Sequence, residues 1–188
     1  CKLSRGLGDV YKRQTEYPIN YLDELASQSN FFLKRFDGYT SFSYTSIDQM
    51  LDTAARNRID HTFHVNTASS YILWNEEGSF RWEALPAKAQ VSPIKKSIVE
   101  DFNNDGFPDV LLAGNDYTYD IGTGYYDANK GILLMSNDGM PLKELLTPSE
   151  SGIVLNGMVE SLLYLEGDTP FIVAGMNRDS VITYSVNK

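Results

Sequence analysis

Residues 101–109 read Asp101-Phe102-Asn103-Asn104-Asp105-Gly106-Phe107-Pro108-Asp109, and the chain passes at once into the apolar run Val110–Gly114. Oxygen-bearing side chains fall at loop positions one, three, five and nine, with glycine at six. Alternate positions let a tight loop turn its oxygens toward one point, and glycine permits the sharp bend that this requires. Carboxylates so close together repel unless a hard cation lies between them, and calcium accepts six to eight oxygen ligands in relaxed geometry. The spacing therefore predicts a calcium site built on Asp101, Asn103, Asp105 and Asp109. The alternative is an ion-free turn, because Asp, Asn and Gly favour turns on their own account.

The flanks fix what the loop connects. An EF-hand needs a bidentate Glu at position twelve and a helix on each side; position twelve here is Leu112. Val110–Ala113 reads as a buried strand, and Lys95–Glu100 before the loop is also extended in pattern. The loop is expected to join two antiparallel strands.

Three blocks of the chain recur at nearly one spacing. Ser70–Gly78 aligns with Gly131–Gly139, so that Leu73 pairs with Leu134 and Gly78 with Gly139, each 61 residues on. Leu85-Pro86 aligns with Thr147-Pro148, and Gly106–Asn115 with Asp168–Asn177, pairing Pro108 with Pro170 and Gly114 with Gly175. A shared offset over three blocks predicts a structural repeat. Each unit would be a four-stranded antiparallel sheet, with strands near 95–101, 109–114, 131–136 and 142–146 in the complete copy. The preceding copy shows strands near 71–75 and 80–84. The following copy shows strands near 157–165 and 171–175, with a last strand at Val181–Val186. Serial four-stranded units are the pattern of a β-propeller, of which this chain would hold about two and a half blades, too few to close a ring. The expected fold is mainly β, a partial propeller of four-stranded antiparallel blades over residues 61–188, with a helical insertion at 15–60.

The loop and the following Gly131-Ile132-Leu133-Leu134-Met135-Ser136-Asn137-Asp138-Gly139 resemble the FG-GAP/VCBS repeat of calcium-stapled propellers. Tyr125–Ala128, Pro148–Gly152 and Ala89–Pro93 extend the resemblance to C-terminal blades of secreted or surface bacterial VCBS-repeat proteins. It covers residues 60–188 well and 17–60 less fully. The resemblance implies calcium held by Asp101, Asn103, Asp105 and Asp109, with Phe107 giving its backbone carbonyl. It also implies an extracytoplasmic setting, a protein or glycan ligand, and contact with the remaining blades of a parent propeller. Tyr164–Asp168 lacks the alternating carboxylates, so no ion is expected there.

Net charge is −9. Lys2, Arg5, Lys12 and Arg13 outnumber Asp9 in the first fourteen residues, which leaves the remainder at about −12. So acidic a body lacks the basic footprint that nucleic-acid binding needs. Cys1 is the single cysteine, which rules out an internal disulfide within this sequence, and no apolar run approaches the length of a membrane span. Residues 1–14 continue no pattern in the chain and are expected to be a non-native or disordered leader. The alternative is that Cys1 is the lipidated first residue of a mature lipoprotein.

In residues 17–60, Leu22, Leu25, Ala26, Phe32, Leu33 and Phe36 recur at helical spacing, with Asn20 or Asp23 as cap. A second helix is predicted from an N-cap at Ser46, with Ile47, Met50, Leu51 and Ala54 on its apolar face and Asp48 in its first turn. This segment and the loop Asn115–Lys130 both precede a third strand, so both are expected on one face of the propeller, where binding surfaces form.

Signals for catalysis are few. His61 and His64 would suit a metal only on a helix with a third ligand, and otherwise read as an incidental polar pair. Asp116, Asp120 and Asp127 sit in a Tyr/Gly-rich loop; paired carboxylates could hydrolyse a glycosidic bond, while the aromatic rings could equally grip a sugar or a peptide, or the loop could be merely solvated. Gly122-Thr123-Gly124 opens no helix, and neither a phosphate-binding loop nor a Gly-x-Ser-x-Gly elbow occurs. The sequence therefore favours a non-enzymatic binding or scaffold module stabilised by calcium, against a carbohydrate-active hydrolase using loop carboxylates.

Overall fold

Antiparallel pairing accounts for every sheet in the computed structural model, which describes residues 5–7, 16–119, 124–137 and 140–186. The protein is mainly β, with sheets of two to four strands and short helices. Residues 1–65 and 66–188 form two separate units.

The first unit begins with β1 (Arg5–Leu7) paired to β2 (Glu16–Pro18). The rest of the segment read as a leader lies outside the described residues. The helical pattern that follows is real but finer than periodicity predicts. It divides into α1 (Leu22–Gln28) and α2 (Asn30–Arg35), because Ser29 is extended and its Oγ accepts from the Phe31 N–H at 3.3 Å. A serine that bonds to nearby backbone competes with helix continuation. The cap of α1 is Tyr21 rather than Asn20 or Asp23, with the Glu24 carboxylate accepting from the Tyr21 N–H at 3.1 Å. A further turn, α3 (Tyr39–Ser43), follows. Ser46 caps α4 (Ile47–Met50) as expected, in a reciprocal box with Gln49. That helix stops at Leu51, and Asp52 caps a new turn, α5 (Thr53–Arg56), which leaves Ala54 exposed. Leu22, Leu25, Phe32, Phe42 and Met50 form this unit's core. His61 and His64 lie beyond α5 in an exposed stretch with no regular structure.

The second unit contains the hairpin β3 (Tyr71–Glu76) and β4 (Ser79–Ala84). A four-stranded sheet follows, in the order β5 (Ile94–Glu100), β6 (Asp109–Gly114), β7 (Ile132–Asn137) and β8 (Met140–Leu146). After the single turn α6 (Pro148–Ser151) comes a three-stranded sheet of β9 (Val159–Leu165), β10 (Phe171–Met176) and β11 (Val181–Ser185).

The continuous apolar character of β6 and β7 has a direct cause: both faces of their sheet are covered. Ile98, Leu111 and Leu133 are cross-strand neighbours on one face, and with Ala113 and Met135 they pack on Val159, Ile172, Ala174 and Met176 of the last sheet. Val110, Leu112, Ile132 and Leu134 point the other way and pack with Leu85, Ala89 and Ile72, from the hairpin and the turn after it. The most extensive backbone contact between sheets, among the described residues, is that of β9 with β5. A bulge falls near the same end of both large sheets, between Ile94 and Lys96 opposite Ala113-Gly114, and at Gly175/Met176 opposite Ser161 and Val159. Just past it, the Asn115 N–H donates to the Pro93 carbonyl at 3.0 Å and the Asn177 N–H to the Met158 carbonyl at 2.8 Å.

Among the described residues no helix is long and apolar enough to cross a membrane.

Candidate functional site

The loop from Asp101 to Pro108 joins β5 to β6 at one end of the four-stranded sheet, as its composition predicts. Gly106 has φ +87° and Asn104 φ +60°, so the sharp bend does fall on the two residue types that tolerate it. The side chains at positions one, three and five converge. Asp101 Oδ1 and Asn103 Oδ1 both accept from the Asp105 N–H, at 3.2 and 3.1 Å. Asp101 Oδ2 accepts from the Gly106 N–H at 2.9 Å, and Asp105 Oδ1 from the Phe107 N–H at 2.8 Å. Asn103 Nδ2 donates to Asp105 Oδ2 at 3.0 Å. Three oxygen-bearing side chains thus meet over one stretch of backbone, held by its own N–H groups.

Asp109 stands apart from them. It is fully buried, and its carboxylate ties β6 to β7 and to the loop after β5: Oδ2 accepts from the Phe102 N–H at 2.9 Å and Oδ1 from the Ser136 N–H at 2.8 Å. Ser136, also fully buried, extends the staple by donating its hydroxyl to the Pro108 carbonyl at 2.6 Å and accepting from the Leu142 N–H at 3.1 Å. Each Asp109 oxygen keeps one acceptor site beyond the bond it makes. On the loop itself two carboxylates and an amide oxygen converge, oxygen donors of the kind a hard cation takes. Among the described residues, however, no three His, Cys, Asp or Glu side chains are already gathered as a ready metal cage.

The second notable site lies at the opposite end of the same sheet, where β6 leaves for β7. Asn115 is fully buried in left-handed backbone (φ +79°), and all of its amide capacity is used. Oδ1 accepts from the Asn129 N–H at 2.9 Å and the Ser92 hydroxyl at 2.8 Å, while Nδ2 donates to the carbonyls of Asn129 at 2.6 Å and Gly157 at 2.8 Å. One side chain therefore joins both stems of the loop to the segments before β5 and β9. Above it, Asp116 and Tyr126 exchange backbone hydrogen bonds at 2.8 and 3.0 Å. Sequence reasoning passed over Asn115; a lone asparagine at a strand end gives no signal beyond turn propensity.

Lys95 Nζ lies 2.9 Å from Asp116 Oδ2, and Asp116 Oδ1 accepts from both the N–H and the hydroxyl of Thr118, at 2.8 and 2.6 Å. The lysine first, and then Thr118, hold the Asp116 carboxyl at a pKa of about 2. A carboxylate so committed is a poor proton shuttle at neutral pH. Asp127 is exposed, and Asp120 lies outside the described residues, as do Gly122 and Thr123. Tyr117 and Tyr125 pack with ring centres 4.8 Å apart and planes tilted by 39°, and Tyr119 meets Tyr126 edge-on at 4.8 Å.

No protein-family model, curated protein or solved structure matches this chain.

Proposed function

We propose that residues 66–188 are part of a calcium-stabilised β-propeller of the FG-GAP/VCBS type, serving as a binding or scaffold module of an extracytoplasmic protein. The observation that carries this reading is the convergence of Asp101, Asn103 and Asp105 over the Gly106 bend, between two antiparallel strands. Calcium would take these three side chains, the Phe107 carbonyl and the second acceptor site of an Asp109 oxygen. Its role would be structural, neutralising the carboxylates and fixing the turn.

The stacking of sheets supports the propeller. The central sheet is covered on both faces, and the last two sheets meet most extensively at their first strands, β5 and β9, as blades do around an axis. The matched bulges, and the matched bonds of Asn115 and Asn177, support the repeat. They align β6 with β10 at the spacing of Pro108 to Pro170 throughout, so that Gly114 answers to Met176 rather than to Gly175. Face parity agrees: Val110 and Leu112 face the preceding hairpin, and Ile172 and Ala174 face the preceding sheet. The ligand would be a protein or glycan, and the remaining blades would be further partners.

Thermal unfolding of the whole chain in calcium and then in chelator tests the reading. Stabilisation should grow by about 1.4 kcal/mol per tenfold excess of free ion over Kd. Asp105→Asn should remove most of that dependence. A melting curve indifferent to calcium would reduce the loop to an ordinary turn.

A further inference from the structure

The four tyrosines of the β6–β7 loop are not explained by calcium or by sheet packing. Tyr125 is 71 % exposed and Tyr119 is 52 % exposed, although each already has a tyrosine against one side of its ring. Exposed aromatic groups already packed against another ring lose little side-chain freedom when a ligand covers them, which is why tyrosine recurs at binding surfaces. The platform beneath them is firm: Asn115 fastens both stems of the loop, and the Asp116–Tyr126 backbone pair closes it.

The surrounding charge narrows the ligand. Lys95 is paired with Asp116 at the base of the loop, so its charge is neutralised and offers little to an anion. Asp127 lies close enough to Tyr117 to raise its phenol's pKa, behind the larger effect of burial and ahead of that of Tyr125. A flat ring face bordered by phenol hydroxyls and an exposed carboxylate matches a pyranose. The sugar's C–H face lies on the ring, and its hydroxyls donate to the carboxylate. An apolar peptide side chain would instead gain most from a closed pocket, which rings so widely exposed do not make.

We propose that the exposed Tyr125, packed on Tyr117 with Asp127 beside it, forms a binding platform for neutral oligosaccharides, to which the Tyr119–Tyr126 pair of the same loop adds a second ring contact. This deepens the binding-module reading and rests on it.

The test is isothermal titration calorimetry of the whole chain against cellohexaose, xylohexaose, mannohexaose and chitohexaose, with a reducing-sugar assay on the same mixtures. At least one sugar should bind and remain intact. Tyr125→Ala should weaken Kd by about tenfold, the upper range for one aromatic stacking contact, while Tyr125→Phe, which keeps the ring, should bind nearly as the native protein does. Circular dichroism would establish that both variants fold. Absence of binding to all four sugars would overturn the platform, as would binding indifferent to Tyr125→Ala, even if calcium stabilisation holds. Tyrosine-dependent binding of peptides in place of sugars would overturn it too. Tyrosine-dependent binding followed by cleavage would uphold the glycan platform and overturn the non-catalytic reading, so the two failures are distinct.

Discussion

Replacing Asp109 by alanine separates its part as a staple between strands from the calcium binding proposed for it. In the fold its carboxylate receives the buried N–H groups of Phe102 and Ser136 at 2.9 and 2.8 Å. Removing it strands both donors away from water. Hydrogen bonds to a charged group contribute about 1.5–3 kcal/mol each, so the loss should be roughly 3–6 kcal/mol even with calcium chelated. That is a large part of the total stability of an ordinary domain, roughly 5–15 kcal/mol. Asp109→Asn keeps one acceptor and turns an amide donor toward the other N–H, so it should retain about half. Asp105→Asn, on the exposed loop, should change stability in chelator by less than about 0.5 kcal/mol. Urea unfolding followed by tryptophan fluorescence suits the purpose, because Trp74 and Trp82 both lie in the β3–β4 hairpin of this unit. The three variants should rank by midpoint with unchanged slope. If Asp109→Ala falls by less than about 1 kcal/mol in chelator, the staple argument is wrong.

Other outcomes follow from the same geometry. Asn115→Ala removes four hydrogen bonds, three of them buried, that join the loop stems to each other and to the segments before β5 and β9. It should cost about 3 kcal/mol or more, with hydrogen exchange rising at the Asn129 N–H before the sheet centre. Gly114→Ala would place a methyl carbon 1.8 Å from the Pro93 carbonyl oxygen. It should therefore force β5 and β6 apart at the bulge and lower the urea midpoint, whereas Gly106→Ala meets only the strain of positive φ and should cost about 1 kcal/mol. The Asp116 carboxyl is lowered from 3.8 to about 2 by Lys95 and Thr118. Its contribution is thus complete above about pH 4 and is lost as pH falls through about 2. The stability gap between the native chain and Lys95→Met, measured by urea unfolding from pH 6 downward, should stay level and then narrow over that interval.

Much of the β architecture was legible because its signals are local. The run Val110–Gly114 lies between a loop that must turn and an asparagine, so β6 could be placed to the residue. The Gly106 bend was legible because only a few residue types accept positive φ. The helical segment was legible as helical but not as five short pieces. Whether Ser29 continues a helix or ends it depends on a choice between similar local hydrogen bonds, and periodicity does not register that choice. Bulges in the register were not legible at all, because the extra residue between Ile94 and Lys96 is set by how two strands meet and not by local composition.

What the sequence determined by itself is the set of properties carried within a few residues: strand positions, the turn at Gly106, the cap at Ser46 and the acidic charge. Tertiary structure alone decided how residues far apart share their polar groups. Asp101, Asp105 and Asp109 are alike in the sequence, yet two lie on a loop rim and one is sealed beneath Ser136, a partner 27 residues away. Asn115 is an unremarkable strand end until Ser92, Asn129 and Gly157 close around its amide. The reason is physical: a buried polar group must be paired, and the chain meets that demand with whichever partner the packing of sheets brings within 3 Å or so.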